Sequence, residues 1–189
     1  MKNHFLKVSA VAKRFLALAL IAALVLANPL SVEAKTKVKT LKSIKNDAGN
    51  LTVSVANSCA TEIKAGKSYK FKLKQKNHRG LSYVKFTAPA TKDYTFTLSK
   101  LSTPNGSYAN GFYTLYKQQA DGVDGLTSYE NIKTNAPGEG YFASRSGNKR
   151  FPKTRKQTVS LNAGDTVYIF FDTLAILAKH VTFNFKVSK

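Results

Sequence analysis

From Tyr69 to Lys74 the chain alternates a ring or aliphatic group with an ammonium group at every step: Tyr69, Phe71 and Leu73 against Lys70, Lys72 and Lys74. Successive side chains on a strand point to opposite faces, so a strand with one buried and one wet face accommodates this pattern. A helix would carry some of the lysines into its core-facing stripe. The same period recurs where Tyr94, Phe96 and Leu98 are interleaved with threonine and serine, and where Val181, Phe183, Phe185 and Val187 are interleaved with Thr182, Asn184 and Lys186. Aromatic or aliphatic runs at 83–87, 112–116, 141–143, 158–161 and 167–171 bring the expected total to eight or nine strands. The pattern reads as period two from Leu51 onward, and no amphipathic helix is expected there.

Turn-forming residues separate the runs at Ala65-Gly66-Lys67, Pro89 to Asp93, Pro104-Asn105-Gly106, Asp121 to Gly125, Pro137-Gly138, Ser146-Gly147-Asn148 and Asn162 to Asp165. Short strands with a turn every ten or so residues predict an all-β fold, an antiparallel β-sandwich of jelly-roll type. Residues 101–156 are the irregular part, rich in Gly, Asn and Ser. Long polar loops on a rigid sandwich are where binding concentrates. Residues 173–179 are compatible with one helical turn or with a crossing between strands.

Residues 1–14 carry Lys2, Lys7, Lys13 and Arg14 and no acid, followed by twelve apolar residues from Leu16 to Ala27. That run is too short to span a bilayer, which needs about 20 residues, and fits the helical h-region of a secretory signal. Asn28-Pro29 breaks it, and Val32-Glu33-Ala34 supplies a cleavage site. The chain thus divides into a signal peptide 1–34, a basic N-terminal arm 35–50 and a β-sandwich domain 51–189. The expected location is secreted, extracellular and associated with the cell wall. One cysteine, Cys59, excludes an intramolecular disulfide, so packing must hold the fold. Cys59 has no His or acid beside it in sequence and reads as a small buried hydrophobe.

Charge is the other strong constraint. The chain has 30 Lys and Arg against 10 Asp and Glu, a net charge of +20. Removing residues 1–34 takes away four basic residues and Glu33, which leaves +17. Such an excess calls for an anionic partner or surroundings. Arg145, Lys149, Arg150, Lys153, Arg155 and Lys156 place six cations within twelve residues, with no acid between Glu139 and Asp165. Phe151 interrupts the run and Tyr141-Phe142 precedes it. Guanidinium forks bind oxyanions bidentately and sugar rings lie on aromatic faces, so the loop suits sulfate, phosphate or uronate. Lys70, Lys72 and Lys74 form a second basic stripe, extended by Lys67, Lys76 and Arg79. These nine residues, six in the loop and three in the ladder, are the candidate anion-binding set.

Several phrases resemble the bacterial pre-peptidase C-terminal domain, a secreted β-sandwich often appended to extracellular hydrolases. They are Ala65-Gly66-Lys67-Ser68-Tyr69-Lys70-Phe71, Tyr83-Val84-Lys85-Phe86-Thr87-Ala88-Pro89, Asp93 to Leu98, and Leu161-Asn162-Ala163-Gly164-Asp165-Thr166-Val167-Tyr168-Ile169, closed by Phe183 to Val187. The likeness covers roughly residues 60–189 and implies a non-catalytic accessory module. Calcium-binding members of that family carry acids just before the aromatic strand, where this chain has Asn77-His78-Arg79-Gly80-Leu81-Ser82, so no calcium site is carried over.

The residue inventory points away from catalysis. His78 and His180, the two histidines beyond the signal, are flanked by cations that repel a metal ion, and no metal-ligand spacing, nucleophile elbow or phosphate-binding glycine loop occurs. Asp121 and Asp124 sit with Gly122 and Gly125 in a turn. The expectation is a non-enzymatic binding module with no cofactor. Its partner is an anionic polysaccharide or wall polymer, with an anionic membrane surface as a further candidate and nucleic acid behind both. The alternatives are a structural or adhesive surface protein held at the wall by charge, and an extracellular hydrolase whose carboxylate pair is hidden by sequence separation.

Overall fold

The computed structural model describes residues 37–45, 51–138, 140–145 and 149–189, so the signal peptide reading of 1–34 lies outside the described residues. In chain order the elements are β1 (Val38–Thr40), α1 (Val53–Cys59), β2 (Thr61–Ile63), β3 (Ser68–Lys74), β4 (Arg79–Thr87), β5 (Lys92–Ser102), β6 (Asn110–Gln118), β7 (Leu126–Ser128), β8 (Lys133–Thr134), β9 (Tyr141–Ala143), β10 (Arg155–Leu161), β11 (Thr166–Leu174) and β12 (His180–Ser188). They form two sheets. Sheet A has the order β1-β3-β12-β5-β10-β8, and sheet B has the order β2-β4-β11-β6-β7 with β9 also paired to β6.

The long strands alternate between sheets along the chain: β3, β5, β10 and β12 in A, β4, β6 and β11 in B. Each link therefore crosses the sandwich, which is the jelly-roll habit. Pairing is antiparallel except at two edges, where β1 runs parallel to β3 and β2 parallel to β4. Residues 38–40 of the arm, with Lys39 among them, lie in that first edge, and Leu41 just beyond them is buried.

Phe71, Phe86, Tyr94, Phe96, Val167, Ile169, Phe183 and Phe185 are buried between the sheets. Phe171 packs at the centre, with ring centroids 4.9 Å from Phe183, 5.2 Å from Phe185 and 6.2 Å from Tyr113. Tyr69 is only half-buried. It stacks on Phe71 and its hydroxyl accepts a hydrogen bond from the Lys64 amide at 2.9 Å.

The period-two reading fails at 53–59, which is helical. Thr52 caps the helix, its Oγ1 accepting from the Val55 amide at 3.1 Å, and Asp124 accepts from the Ser54 amide at 2.8 Å. Ala56 and Cys59, three apart, face inward onto Leu81, Tyr83, Tyr168 and Phe170 on the outer side of sheet B, a second apolar cluster. β11 is consequently buried on both faces. Residues 175–179 are a turn crossing from sheet B to sheet A, not a helix.

Candidate anion-binding site

The lysine ladder stands on the outer face of sheet A as alternation requires. Across the β3–β12 ladder Lys70 opposes Asn184, Lys72 opposes Thr182 and Lys74 opposes His180. This face continues through Ser102 and Thr182, whose hydroxyls are 2.9 Å apart, to Thr95 and Thr158, 2.8 Å apart. Lys156 emerges on the same face opposite Thr97, which in turn opposes Lys186. Lys156 is three strands from the ladder, roughly 14 Å at normal strand spacing. The carboxylate of Asp93, at the far end of β5, accepts from Ser160 Oγ. His180 has its pKa lowered by desolvation and then by the Lys72 charge, which keeps the ring neutral near pH 7.

Arg155 does not belong to the exposed set. Alternation on β10 sends Lys156, Thr158 and Ser160 outward and Arg155, Gln157, Val159 and Leu161 inward, and Arg155 is fully buried. Its guanidinium donates to four backbone carbonyls: Nε to Tyr141 at 2.7 Å, Nη1 to Ala136 at 2.6 Å, and Nη2 to Pro137 at 3.2 Å and Arg150 at 2.9 Å. Burial pushes its pKa down, with the nearby Tyr113 hydroxyl opposing. The group holds the loops before and after β9 together and cannot also clasp a polymer.

The other loop cations remain outside. Arg145 Nη2 donates to the Gly106 carbonyl at 2.8 Å, which ties the chain just after β9 to the 103–109 loop. The Arg150 guanidinium lies 4.8 Å from the Tyr141 ring centroid, a cation–π contact. Lys149 and Lys153 are exposed.

Topology adds what spacing could not. The loop segments 75–78, 103–109, 144–145, 149–154 and 175–179 meet at one end of the sandwich, since Leu174 pairs with both Arg79 and Asn110, His180 with Lys74, and the Ser144 amide with the Ala109 carbonyl. Lys100 and Lys179 therefore join the predicted cations there, beside Lys76 from the extension of the ladder. Lys100 occupies a β-bulge at φ 54°, where the β5–β12 register shifts. Among the described residues the acid at this end is Asp172, and it is held bidentately by Arg79, Nε to Oδ1 at 2.9 Å and Nη2 to Oδ2. Glu62, Asp93, Asp124 and Asp165 lie toward the opposite end.

Beside the Arg79–Asp172 pair a groove of about 390 Å³ opens, lined chiefly by Phe112, Tyr141, Phe151 and Leu174. Its rings meet at tilted angles, Phe112 to Tyr141 at 5.9 Å and Tyr141 to Phe151 at 5.1 Å. A second, wider cleft of about 880 Å³ contains Lys117, Tyr129, Glu130 and Asp165 but none of the candidate cations. Asp165 there closes its own turn, Oδ2 accepting from the Asn162 amide at 2.8 Å. Among the described residues no three His, Cys, Asp or Glu side chains cluster as metal ligands, and no helix is long and apolar enough to cross a membrane.

The sequence matches no protein-family profile and no curated protein. Among solved structures, the fold is similar to the pre-peptidase C-terminal domain of a collagenase from Bacillus anthracis, at 11% identity and a TM-score of 0.39, covering 68% of this chain and 93% of that one. It is also similar to CorA, a surface-associated copper-binding protein of Methylomicrobium album BG8, at 10% identity and a TM-score of 0.34, covering 68% of this chain and 98% of that one.

Proposed function

We propose that this protein is a secreted, non-catalytic module that binds an anionic polysaccharide or wall polymer of the cell envelope through its cationic end. The observation that carries the reading is the segregation of charge. Lys74, Lys76, Lys100, Arg145, Arg150 and Lys179 gather at one end of the sandwich, where the one described acid is already neutralised by Arg79, while Lys70, Lys72 and Lys156 stand on the outer face of sheet A. Like charges gathered this way cost stability unless an anion sits among them.

The chemistry divides between the two parts of the surface. Lys70, Lys72 and Lys74, with Lys156 beyond them, act as point charges that draw in a polyanion within the ~8 Å Debye length of physiological salt. Arg145 and Arg150 bring planar guanidinium groups suited to carboxylate and phosphate oxygens. The Phe112–Tyr141–Phe151 groove between them and the Arg79–Asp172 pair gives a sugar ring an apolar floor.

Changing Arg145, Arg150 and Lys153 together to Gln should weaken binding to polygalacturonate or to poly(glycerol phosphate) by roughly a hundredfold, since two lost charge-assisted bonds at ~1.5 to 3 kcal/mol each suffice. A matched triple change of Lys64, Lys85 and Lys117 removes the same net charge away from that end and should weaken binding far less. Equal losses in the two variants favour the alternative, a surface protein tethered diffusely by charge.

A further inference from the structure

The cationic end also carries a feature that no polyelectrolyte requires. Ile176 and Leu177, at the tip of the crossing between β11 and β12, are 63% and 73% exposed. Leu174 at the end of β11 and Tyr108 on the neighbouring loop are exposed as well. Large apolar side chains clustered at a loop tip mark a contact with something apolar.

The tip is held in place. The Ala175 amide donates to the His78 carbonyl at 2.9 Å, the Gln75 amide to the Lys179 carbonyl at 2.9 Å, and Asn105 Nδ2 to the Leu177 carbonyl at 2.7 Å, while Ala175 itself is buried. Three backbone groups of the turn thus have partners within the protein, which fixes how Ile176 and Leu177 are presented. Lys76 and Lys179 flank the tip, and Lys74, Lys100 and Arg145 stand behind it on the same end.

From this juxtaposition we propose that the 174–177 tip docks on an anionic lipid bilayer, with Ile176 and Leu177 entering the acyl boundary and the surrounding cations meeting lipid phosphates. The two halves of the surface match the two layers of such a target. Phosphate and carboxylate headgroups lie outermost, within reach of lysines, and hydrocarbon lies just beneath, within reach of a protruding Ile-Leu pair. Tyr108 has the amphipathic ring that favours the interface between them. A second copy of the chain fits poorly, because joining tip to tip would bring two clusters of lysine together. A sugar polymer has no hydrocarbon phase to receive the tip. This partner is additional to the polymer proposed above, and the two can fail separately.

The test uses the chain from Lys35, whose core lies wholly within residues 41–187, so that the apolar run of residues 16–27 cannot itself partition into lipid. Sedimentation with vesicles of phosphatidylglycerol and phosphatidylcholine, and of phosphatidylcholine alone, reads the partition at 0.15 M salt. The expected result is binding to the anionic vesicles that drops at least thirtyfold, about 2 kcal/mol, in the Ile176→Ser/Leu177→Ser variant, with melting temperature and polygalacturonate binding unchanged. The chain has no tryptophan. Leu177→Trp therefore introduces a lone indole, whose emission should shift to the blue on anionic vesicles and be quenched by lipids spin-labelled near the glycerol. Two results overturn the proposal: a serine variant that binds anionic vesicles as well as the parent does, or a parent that binds polygalacturonate and ignores both vesicles. Loss of polymer binding with vesicle binding intact would instead remove the polymer reading and leave this one standing.

Discussion

Replacing Arg155 with Met tests the most specific claim made of the loop, that its last arginine is structural. The change keeps the length and apolar stem of the side chain and deletes all its donors. Four carbonyls at 2.6 to 3.2 Å then lose their partner. At ~1.5 to 3 kcal/mol for each bond to a charged donor, the gross loss is roughly 6 to 12 kcal/mol. The net loss is smaller for two reasons. The carbonyls of Ala136, Pro137 and Arg150 belong to surface loops that water can reach once the guanidinium is gone, and the cost of burying a cation with no carboxylate partner is recovered. About 3 to 5 kcal/mol remains. For a domain of this size each kcal/mol moves the melting temperature by about 2 to 4 °C, so a fall of roughly 6 to 20 °C is expected in a calorimetric scan. Arg155→Lys should recover only part of it, because an ammonium lacks the planar fork that spans both loops. Lys156→Met, one residue away and exposed, should stay within about 0.5 kcal/mol of the parent. If Arg155→Met melts with Lys156→Met, the guanidinium is not holding the loops and the residue returns to the ligand set.

Three further outcomes follow from burial. Tyr113 is fully buried, its hydroxyl donating to the Phe96 carbonyl at 2.7 Å, and burial holds its pKa well above the ordinary value with the Arg155 charge opposing. Burial also raises Tyr83, and it pushes Tyr129, aided by the Asp165 charge, up to about 12. A raised pKa in the folded state means stability fully present below pH 10, where the unfolded tyrosine is still protonated, and lost as pH climbs toward the folded value; Tyr113 alone contributes a slope of about 1.4 kcal/mol per pH unit. Tyrosinate absorbance at 295 nm from these three should therefore appear together with unfolding, and early titration without unfolding would contradict their burial. Cys59, buried with its thiol pKa raised by desolvation, should react with a disulfide reagent only at the rate of opening. Gly111→Ala should lower the melting temperature by several degrees, because its Cβ would lie 2.2 Å from the Asp172 carbonyl oxygen, a backbone atom that cannot turn aside.

The sandwich was legible because alternation is a direct imprint of the pleat. Phe71, Phe96 and Phe185 fall inside and Lys70, Thr97 and Lys186 fall outside with no further information. The helix was not legible, since Val53-Ser54-Val55 imitates a strand and the contest is decided by the Thr52 cap, by Asp124 some 70 residues away, and by the apolar side of sheet B waiting to be covered. The twofold burial of β11 did leave a trace in the unbroken apolar run from Val167 to Phe171, which reads differently from the alternating strands around it. Arg155 also had a signal. Counting back in twos from Val159 and Leu161 places Gln157 and Arg155 on the inner face, so parity outweighs charge density at that position. Convergence of the four loops had none, because it depends on which strands become neighbours.

The incomplete cover of sheet B connects the fold to the proposed site. The outer faces of β4, β11 and β6 are apolar along most of their length, and a sheet must cover such a face with another layer or present it to a partner. α1 has only seven residues and seals the part around Tyr83 and Tyr168, while Ile44 of the arm covers Leu81, its amide bonded to the Leu81 carbonyl at 3.0 Å. Toward the cationic end the cover stops. Phe112, Tyr141 and Phe151 there are half-buried rather than sealed, and the polar pair Arg79–Asp172 borders them. Gly111 contributes to the geometry of that opening, since without a side chain it lets β6 lie close against the Asp172 backbone. A longer α1 would have sealed the sheet and added stability from burial. A short one leaves aromatic rings beside guanidinium groups at the end where cations outnumber acids, which is the composition a sugar acid needs for both its ring and its carboxylate.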